Sequence, residues 1–341
     1  MGYKLKTLFM KKMIAKKQKN NPFDYEAGEN YALSNNDDWS INNSYYFSAH
    51  GAKESLYCRL GIRNCHSEVW FYYSDGSELY VLKDMLFKGD VPLNVHRTAL
   101  GWKVEYKGQL TKKDGLNVSA EFEGEYSSSE PPVDFFSHMP PIRTAKAMAG
   151  EKWSKEFFAE VQSNNQVHYE QTGRLVGLLK IEDKIHKIDL PCVRDHSYGK
   201  RDWNYMNNHL WLMAVNETSQ FNFSMVSYPA MTLLEVGNFK RANKPMAFMI
   251  DASYDRSAVI TGSAPNNLNL TIILNDKSKI NVVINKTDED AYLFQNGDYC
   301  LIEGIAQFTI GNEKYRGILE VGFNKDKNRI FNGKDLRKIK I

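Results

Sequence analysis

The sequence predicts a mainly antiparallel β protein, built as barrels or sandwiches in two units with one helix between them. Two observations carry the class. Apolar residues alternate with period two from about residue 40 onward, and turn dipeptides separate the runs. Aromatic residues reach 13%, with 19 Tyr and 18 Phe, which favours strands and apolar pockets. A chain of 341 residues has length for two domains with substantial cores.

Taken in order, Asn43–Ser48 and Ser55–Leu60 read as strands. Glu68–Tyr73 and Glu78–Leu82 flank Asp75-Gly76, a dipeptide that tolerates the positive φ of a tight hairpin. Trp102, Val104 and Tyr106 alternate before Asp114-Gly115, and Val118, Ala120 and Phe122 alternate after it. One face of that sheet is therefore buried and the other wet. The β pattern stops at Pro131-Pro132. Residues 141–162 predict a single helix, with Trp153, Phe157 and Val161 four apart and prolines at its start. Strands resume at Val167 and continue through 173–181, 185–193, 209–215, 221–228, 245–252, 270–274, 280–284, 300–310 and 315–323. The expected division is a tail at 1–28, a first β unit at 29–137, a helical connector at 138–164 and a second β unit at 165–341.

Composition narrows the function classes. Hydrophobic residues at 42% and charged residues at 25% fit a globular chain. The net charge is +3, yet residues 1–20 hold seven Lys and no acid, which leaves the rest near −4. That body lacks the basic surplus needed to neutralise phosphates, so no nucleic-acid partner is expected. Cys58, Cys65, Cys192 and Cys300 form no Cys-x-x-Cys pair and read as reduced thiols. No apolar run is long enough to span a bilayer. Leu5, Leu8, Phe9 and Met13 share one helical stripe among lysines. That stripe suits either an amphipathic helix on an anionic membrane or a solvated tail. Leu8-Phe9-Met10 is too short for a signal-peptide core, and Lys6 stands where a myristoylation pattern wants Ser or Thr. The expected location is cytoplasmic, with peripheral membrane contact left open.

The densest chemistry lies at Arg194-Asp195-His196-Ser197-Tyr198-Gly199-Lys200-Arg201-Asp202-Trp203, at the end of a strand-like run. Together with Val167-His168-Tyr169-Glu170-Gln171-Thr172-Gly173 and the later Gly177, it resembles a poorly characterised superfamily. That superfamily holds carotenoid hydratases of the hydroxyneurosporene synthase type, secreted bacterial relatives and fungal lipocalin-like Diels–Alderases. The nearest subgroup, of unknown function, carries Arg-Asp-His-Ser-Trp-Gly-x-Arg-Asp-Trp. Ser44-Tyr45-Tyr46-Phe47-Ser48 and Arg59-Leu60-Gly61-Ile62-Arg63 resemble it too, and Glu303-Gly304 with Arg316-Gly317 does so more weakly. The resemblance covers roughly residues 35–325. It implies two lipocalin-like β-barrel domains and a hydrophobic small-molecule ligand of isoprenoid, polyketide or fatty-acyl type, with no cofactor and no metal. The chain departs from the pattern at Tyr198, where most members carry Trp. Carotenoid hydratases also depend on an acid well downstream of the signature. Residues 206–216 contain none, so carotenoid hydration is not implied.

An extended strand puts His196 and Tyr198 on one face and Asp195 and Ser197 on the other. His196 and Tyr198 are therefore the expected ligand-facing pair, and Asp195 joins them as a catalytic group through a bulge or an indirect bond. Trp203, Tyr205 and Trp211 supply aromatic walls able to stabilise a carbocation, and Glu170 and Gln171 complete the candidate ligand-binding set. Arg194, Arg201 and Asp202 read as support, with Arg201 and Asp202 as an ion pair. The alternative reading is that Arg194, Asp195, Arg201 and Asp202 form a buried network holding two barrels together. Glu170 is either ion-paired with Arg194 or Arg201 or a general acid of raised pKa. A metal set of His196, His209 and an Asp lacks the usual His spacing. These readings give a converting enzyme (hydration, cyclisation or isomerisation), with a non-catalytic lipid carrier as the alternative.

Overall fold

In a computed structural model of the chain, residues 2–33, 38, 40–163, 166–256, 264–326, 330–331 and 334–335 are described. Two eight-stranded antiparallel barrels stand side by side. The first is built from β1 (Ile41–His50), β2 (Ser55–Ile62), β3 (Ser67–Ser74) and β4 (Leu79–Val81). Two short strands follow, β5 (Leu86–Phe87) and β6 (Leu93–Arg97), which pair with β3 and with the next barrel strand. That strand is β7 (Trp102–Lys112), followed by β8 (Asn117–Ser127) and the short β9 (Val133–Asp134). The long hairpin β10 (Val167–Ile181) and β11 (Lys184–Lys200) completes the ring, β10 pairing with β8 and β11 with β1. The second barrel is a closed meander. Its strands are β12 (Asn208–Val215), β13 (Gln220–Ser227), β14 (Leu234–Lys240), β15 (Ala247–Tyr254), β16 (Asn267–Leu274), β17 (Lys279–Asn296), β18 (Tyr299–Ile310) and β19 (Glu313–Asn324).

The mainly-β, two-barrel expectation therefore holds, but the domain boundary does not. Residues 167–200 belong to the first barrel, and the second begins at Asn208. Local pairing within a hairpin is legible in sequence. Which strands the hairpin's outer edges then pair with is settled by contacts distant along the chain. Close approach at that seal requires glycine. Gly177 pairs with Gly124, and a Cβ at Gly177 would come within 2.4 Å of the Glu123 carbonyl oxygen.

Each barrel has its own apolar interior. Phe47, Phe71, Tyr106, Phe122 and Leu179 belong to the first, and Leu212, Phe221, Phe223, Ile284 and Phe308 to the second. On β8 burial alternates cleanly, as a half-wet sheet requires. On β1, β2 and β3 it does not, because their outer faces are also covered. Tyr46, Tyr57, Trp70 and Tyr72 point away from the first core and pack with Met213, Phe294, Leu301, Ile305 and Ile318 of the second barrel. The uninterrupted apolar run Val69–Tyr73 is the sequence trace of that seam.

The expected single helix over 141–162 is two helices, α3 (Pro141–Ala149) and α4 (Lys155–Ser163) in the numbering below. The break at Gly150 turns the Glu151 carboxylate toward the second barrel, where it accepts from the Thr232 N–H at 2.9 Å. Trp153 Nε1 closes the corner onto the Met148 carbonyl at 2.8 Å. Of the two expected forms of the tail, the structure takes the helical one. Residues Tyr3–Asn20 form a full helix, α1, seated on α3 and α4 through Met10 and Ile14. A second short helix, α2 (Tyr25–Glu29), is capped by Asp24, whose side chain accepts from Ala27 N–H at 3.0 Å.

Helix α2 delivers Glu29 into the mouth of the first barrel, where it meets Arg194. Both side chains are 0% exposed, and Arg194 Nη1 also donates to Glu29 Oε2 at 3.1 Å. Removing one partner strands a buried charge, which costs about 3–5 kcal/mol. Arg194→Met is expected to lower the urea unfolding free energy by about that amount, and Glu29→Leu added to it should recover part of the loss. Equal destabilisation of the single and double variants would show that the pair contributes nothing.

Candidate functional site

No register shift interrupts β11 between Lys184 and Lys200, so no bulge re-aims its side chains. Arg194, His196 and Tyr198 point into the mouth of the first barrel, and Asp195 and Ser197 point into the seam. His196 is fully buried. Its Nε2–H donates to Asn43 Oδ1 at 2.8 Å, and Nδ1 meets the Tyr169 hydroxyl at 2.5 Å. The same hydroxyl lies 2.7 Å from Glu29 Oε1, so Glu29 and His196 Nδ1 compete for its one proton. The imidazole lies on Tyr45 with centroids 4.4 Å apart. Burial first, and Arg194 next, lower its pKa to about 3, so it is neutral at physiological pH. Tyr198 stacks on Tyr31 at 4.4 Å. The expected ligand-facing pair is thus spent on closing the mouth of the barrel around α2.

The seam face gathers different residues. β10 places His168 and Glu170 beside Asp195, because Glu170 is the register partner of Asp195. His168 Nε2 contacts Asp195 Oδ2 and lies 3.8 Å from Glu170 Oε1. Burial opposes charge on His168, but the Asp195 carboxylate outweighs it and raises the pKa of the ring. Asn222, reaching over from β13, donates Nδ2–H to both oxygens of Glu170 at 2.7 and 2.9 Å. Burial raises the Glu170 pKa to about 8. His168 lowers it, and Asp195 adds to the rise. A carboxyl that burial keeps protonated at neutral pH therefore stands beside an imidazole whose pKa its carboxylate neighbours raise. Neither expected cation reaches Glu170: Arg194 pairs with Glu29, and Arg201 lies by Gln166 and Asp195.

An aromatic wall flanks this cluster. Trp211 sits between Tyr46, at 5.3 Å, and His168, at 6.3 Å, and Phe135 stacks on His168 at 4.3 Å. The site is not sealed, since the His168 side chain keeps 27% of its surface exposed and Trp211 is only half-buried. Asn222 Oδ1 and both amide atoms of its register partner Asn238 are buried without a hydrogen-bond partner. Such orphaned groups are costly in a finished core and suit a site that receives polar atoms of a ligand.

Other predicted residues fall elsewhere. Trp203 packs on Phe294 and Tyr299, with Arg201 over its ring at 5.0 Å. Tyr205 stacks on Tyr228. Gln171 points away from the seam cluster and donates to the Glu130 carbonyl at 2.8 Å. Arg201 and Asp202 form no ion pair. Asp202 instead caps the turn Trp203–Tyr205, accepting from Asn204 N–H at 2.9 Å. Arg201 is half-buried near Arg59 and Arg63, and loss of solvent followed by Arg59 lowers its pKa to about 10. Arg59 and Arg63 share Glu68 at 2.8 and 2.9 Å. His196 and His209 belong to separate networks, which disposes of their shared metal set: His209 bonds Tyr299 and Glu320. His168, Glu170 and Asp195 do bring donor atoms within 4.8 Å of one another. The Asn222 N–H groups facing Glu170, and the His168–Asp195 contact, suit a shared proton better than a cation.

A second acidic group was missed in the sequence. Glu303 and Glu320 are cross-strand partners on β18 and β19, inside the seam. Burial and then Glu320 push the Glu303 carboxyl well above the usual range, and the Tyr46 hydroxyl lies 3.4 Å from both its oxygens. The signal was present. Each acid interrupts an apolar strand, where an acid is costly to bury unless it is bonded or neutral. Glu29 had no local signal at all.

The chain matches the family described as Domain of unknown function (DUF7064) over residues 32–325, and it belongs to that family. No curated protein matches it. Among solved structures it is similar to kievitone hydratase from Nectria haematococca, with 11% identity and a TM-score of 0.52. That match covers 89% of this chain and 94% of that one. It is also similar to CghA, with 8% identity and a TM-score of 0.50, covering 84% and 89%. At these identities the likeness is one of fold, and it extends over both barrels.

A neutral buried His196 makes stability depend on pH. Its folded pKa of about 3 lies below the unfolded value near 6.5. Below about pH 6.5 the unfolded chain takes up a proton that the folded one refuses, so stability falls as pH drops toward 3. His196→Gln is expected to lower stability at pH 7 and to flatten this acid limb. Urea titrations at pH 7 and pH 4.5 measure both. An unchanged acid limb would assign it to other groups.

Proposed function

We propose that this DUF7064 member converts a hydrophobic small molecule of isoprenoid, polyketide or fatty-acyl type by acid–base catalysis in the seam between its barrels. The observation that carries this reading is Glu170, a carboxyl that burial keeps protonated at neutral pH, in contact with the His168–Asp195 pair and close to Trp211. A general acid needs a pKa near the working pH, and a base must stand within reach. For hydration, the Glu170 carboxyl proton passes to one alkene carbon and leaves a cation on the other. The Trp211 and Tyr46 rings would stabilise that cation. Water adds its oxygen to the cationic carbon and gives up a proton to the ionised Glu170, with His168 and Asp195 orienting the water. The sum is addition of one water, with the acid restored. Cyclisation or isomerisation uses the same first step and ends by proton loss to Glu170. The name of the structurally similar kievitone hydratase agrees with chemistry of this kind. The orphaned Asn222 and Asn238 groups would orient a carbonyl or hydroxyl on the substrate.

The alternative, a carrier that returns its ligand unaltered, rests on the same aromatic wall. An incubation separates the two: protein with a lipid extract of its host, followed by mass spectrometry of the ligand pool. Conversion is expected. Retention of an unaltered ligand would assign a carrier, and retention of nothing would overturn both readings. Glu170→Gln keeps the Asn222 contact available and removes the titrating proton. It should cut turnover by at least about a hundredfold with the fold intact. The wild-type rate should fall as pH rises through about 8, where Glu170 ionises. Full activity in Glu170→Gln would remove the carboxyl from the mechanism.

A further inference from the structure

Helix α1 is attached to the body along one side only. Met10 and Ile14 are buried against Ala145, Met148 and Phe157. Lys6 Nζ donates to the Glu151 carbonyl at 2.6 Å, and Gln18 donates to the carbonyls of Phe136 and Met139 at 2.6 and 2.9 Å. This seating leaves the stripe recognised in the sequence facing outward. Leu5 is 59% exposed, Leu8 53% and Met13 50%, and Phe9, 49% exposed, borders this face with its ring 6.1 Å from that of Trp153. Their spacing places them on one helical face. Lys4, Lys11, Lys12, Lys16 and Lys19 are exposed around them, and α1 carries no acid.

We propose that this outward face of α1 docks on an anionic lipid bilayer, with the helix lying in the headgroup plane. Charge complementarity argues for lipid over a second copy of the chain. A second copy would press five more exposed lysines against these, with no carboxylate on the helix to meet them. Apolar side chains interleaved with lysines also fit a bilayer surface, where the chains enter the acyl boundary and the ammonium groups reach the phosphates. The helix does not cross the membrane, since no helix among the described residues is long and apolar enough to span. Its attachment to α3 and α4 would hold the barrels at the lipid surface. The inference is independent of the chemistry proposed for the seam.

The test is flotation of the full chain with vesicles. Phosphatidylcholine vesicles carrying roughly a third phosphatidylserine should bind it about tenfold or more tightly than pure phosphatidylcholine, and high salt should weaken that binding. Leu5→Ser with Leu8→Ser should reduce binding about tenfold while leaving Tm unchanged, because neither side chain is buried in the body. Replacing Lys4, Lys11, Lys12 and Lys16 with Gln should remove most of the salt-sensitive part. Flotation that survives both sets of changes would overturn the proposal. So would failure to bind anionic vesicles, or a concentration-dependent dimer in sedimentation that the leucine variant abolishes.

Discussion

Two barrels share one wall in this protein, and the rest of the structure follows from what that wall must contain. A β-strand in an ordinary barrel faces a dry interior and a wet exterior, so its polar residues have somewhere to go. Strands β1, β2, β3 and the second half of β11 have no such outlet, because their outer faces are covered. Every charge buried in the seam, from either barrel, must find its partner there or shift its pKa until it is no longer charged. Arg59, Arg63 and Glu68 take the first course, and Glu170 and Glu303 take the second.

That constraint divides one short signature into two jobs. Strand parity sends Arg194, His196 and Tyr198 toward the mouth of the first barrel and Asp195 and Ser197 toward its neighbour. On the mouth side Arg194 pairs with Glu29 from α2, His196 bonds Asn43 and Tyr169, and Tyr198 stacks on Tyr31. On the seam side Asp195 joins His168 and Glu170, which β10 presents in register. A dense motif in sequence is thus both a structural network and a chemical site, on opposite faces of one strand. Asp195 meets His168 rather than His196, Glu170 meets neither Arg194 nor Arg201, and His196 belongs to the mouth network. The physical reason is the regular pairing of β11, which leaves no bulge to bring Asp195 and His196 into one cavity.

The helices act as braces. α3 leans on the second barrel through Arg143, which pairs with Glu235 and with Asp251 at 2.9 Å. α4 and α1 complete a small apolar cluster beside it. Past the break at Gly150, Glu151 bonds across to Thr232, a contact that no helical periodicity could reveal.

Alternation, hairpin dipeptides and aromatic content determined by themselves that the chain is mainly β, and where most of its hairpins lie. Local backbone preference and side-chain period carry that information, and they act within a few residues. The parity of the 194–198 segment was equally legible, because it follows from strand geometry alone. Tertiary structure alone decided which barrel the 167–200 hairpin joins, since closure depends on the distant partners β1 and β8. It also decided which face of that strand meets solvent, a ligand or another barrel. Glu29 finding Arg194, and Asn222 finding Glu170, lie in the same category. Each joins residues far apart in the chain, and a buried charge takes its meaning from the partner that folding brings to it.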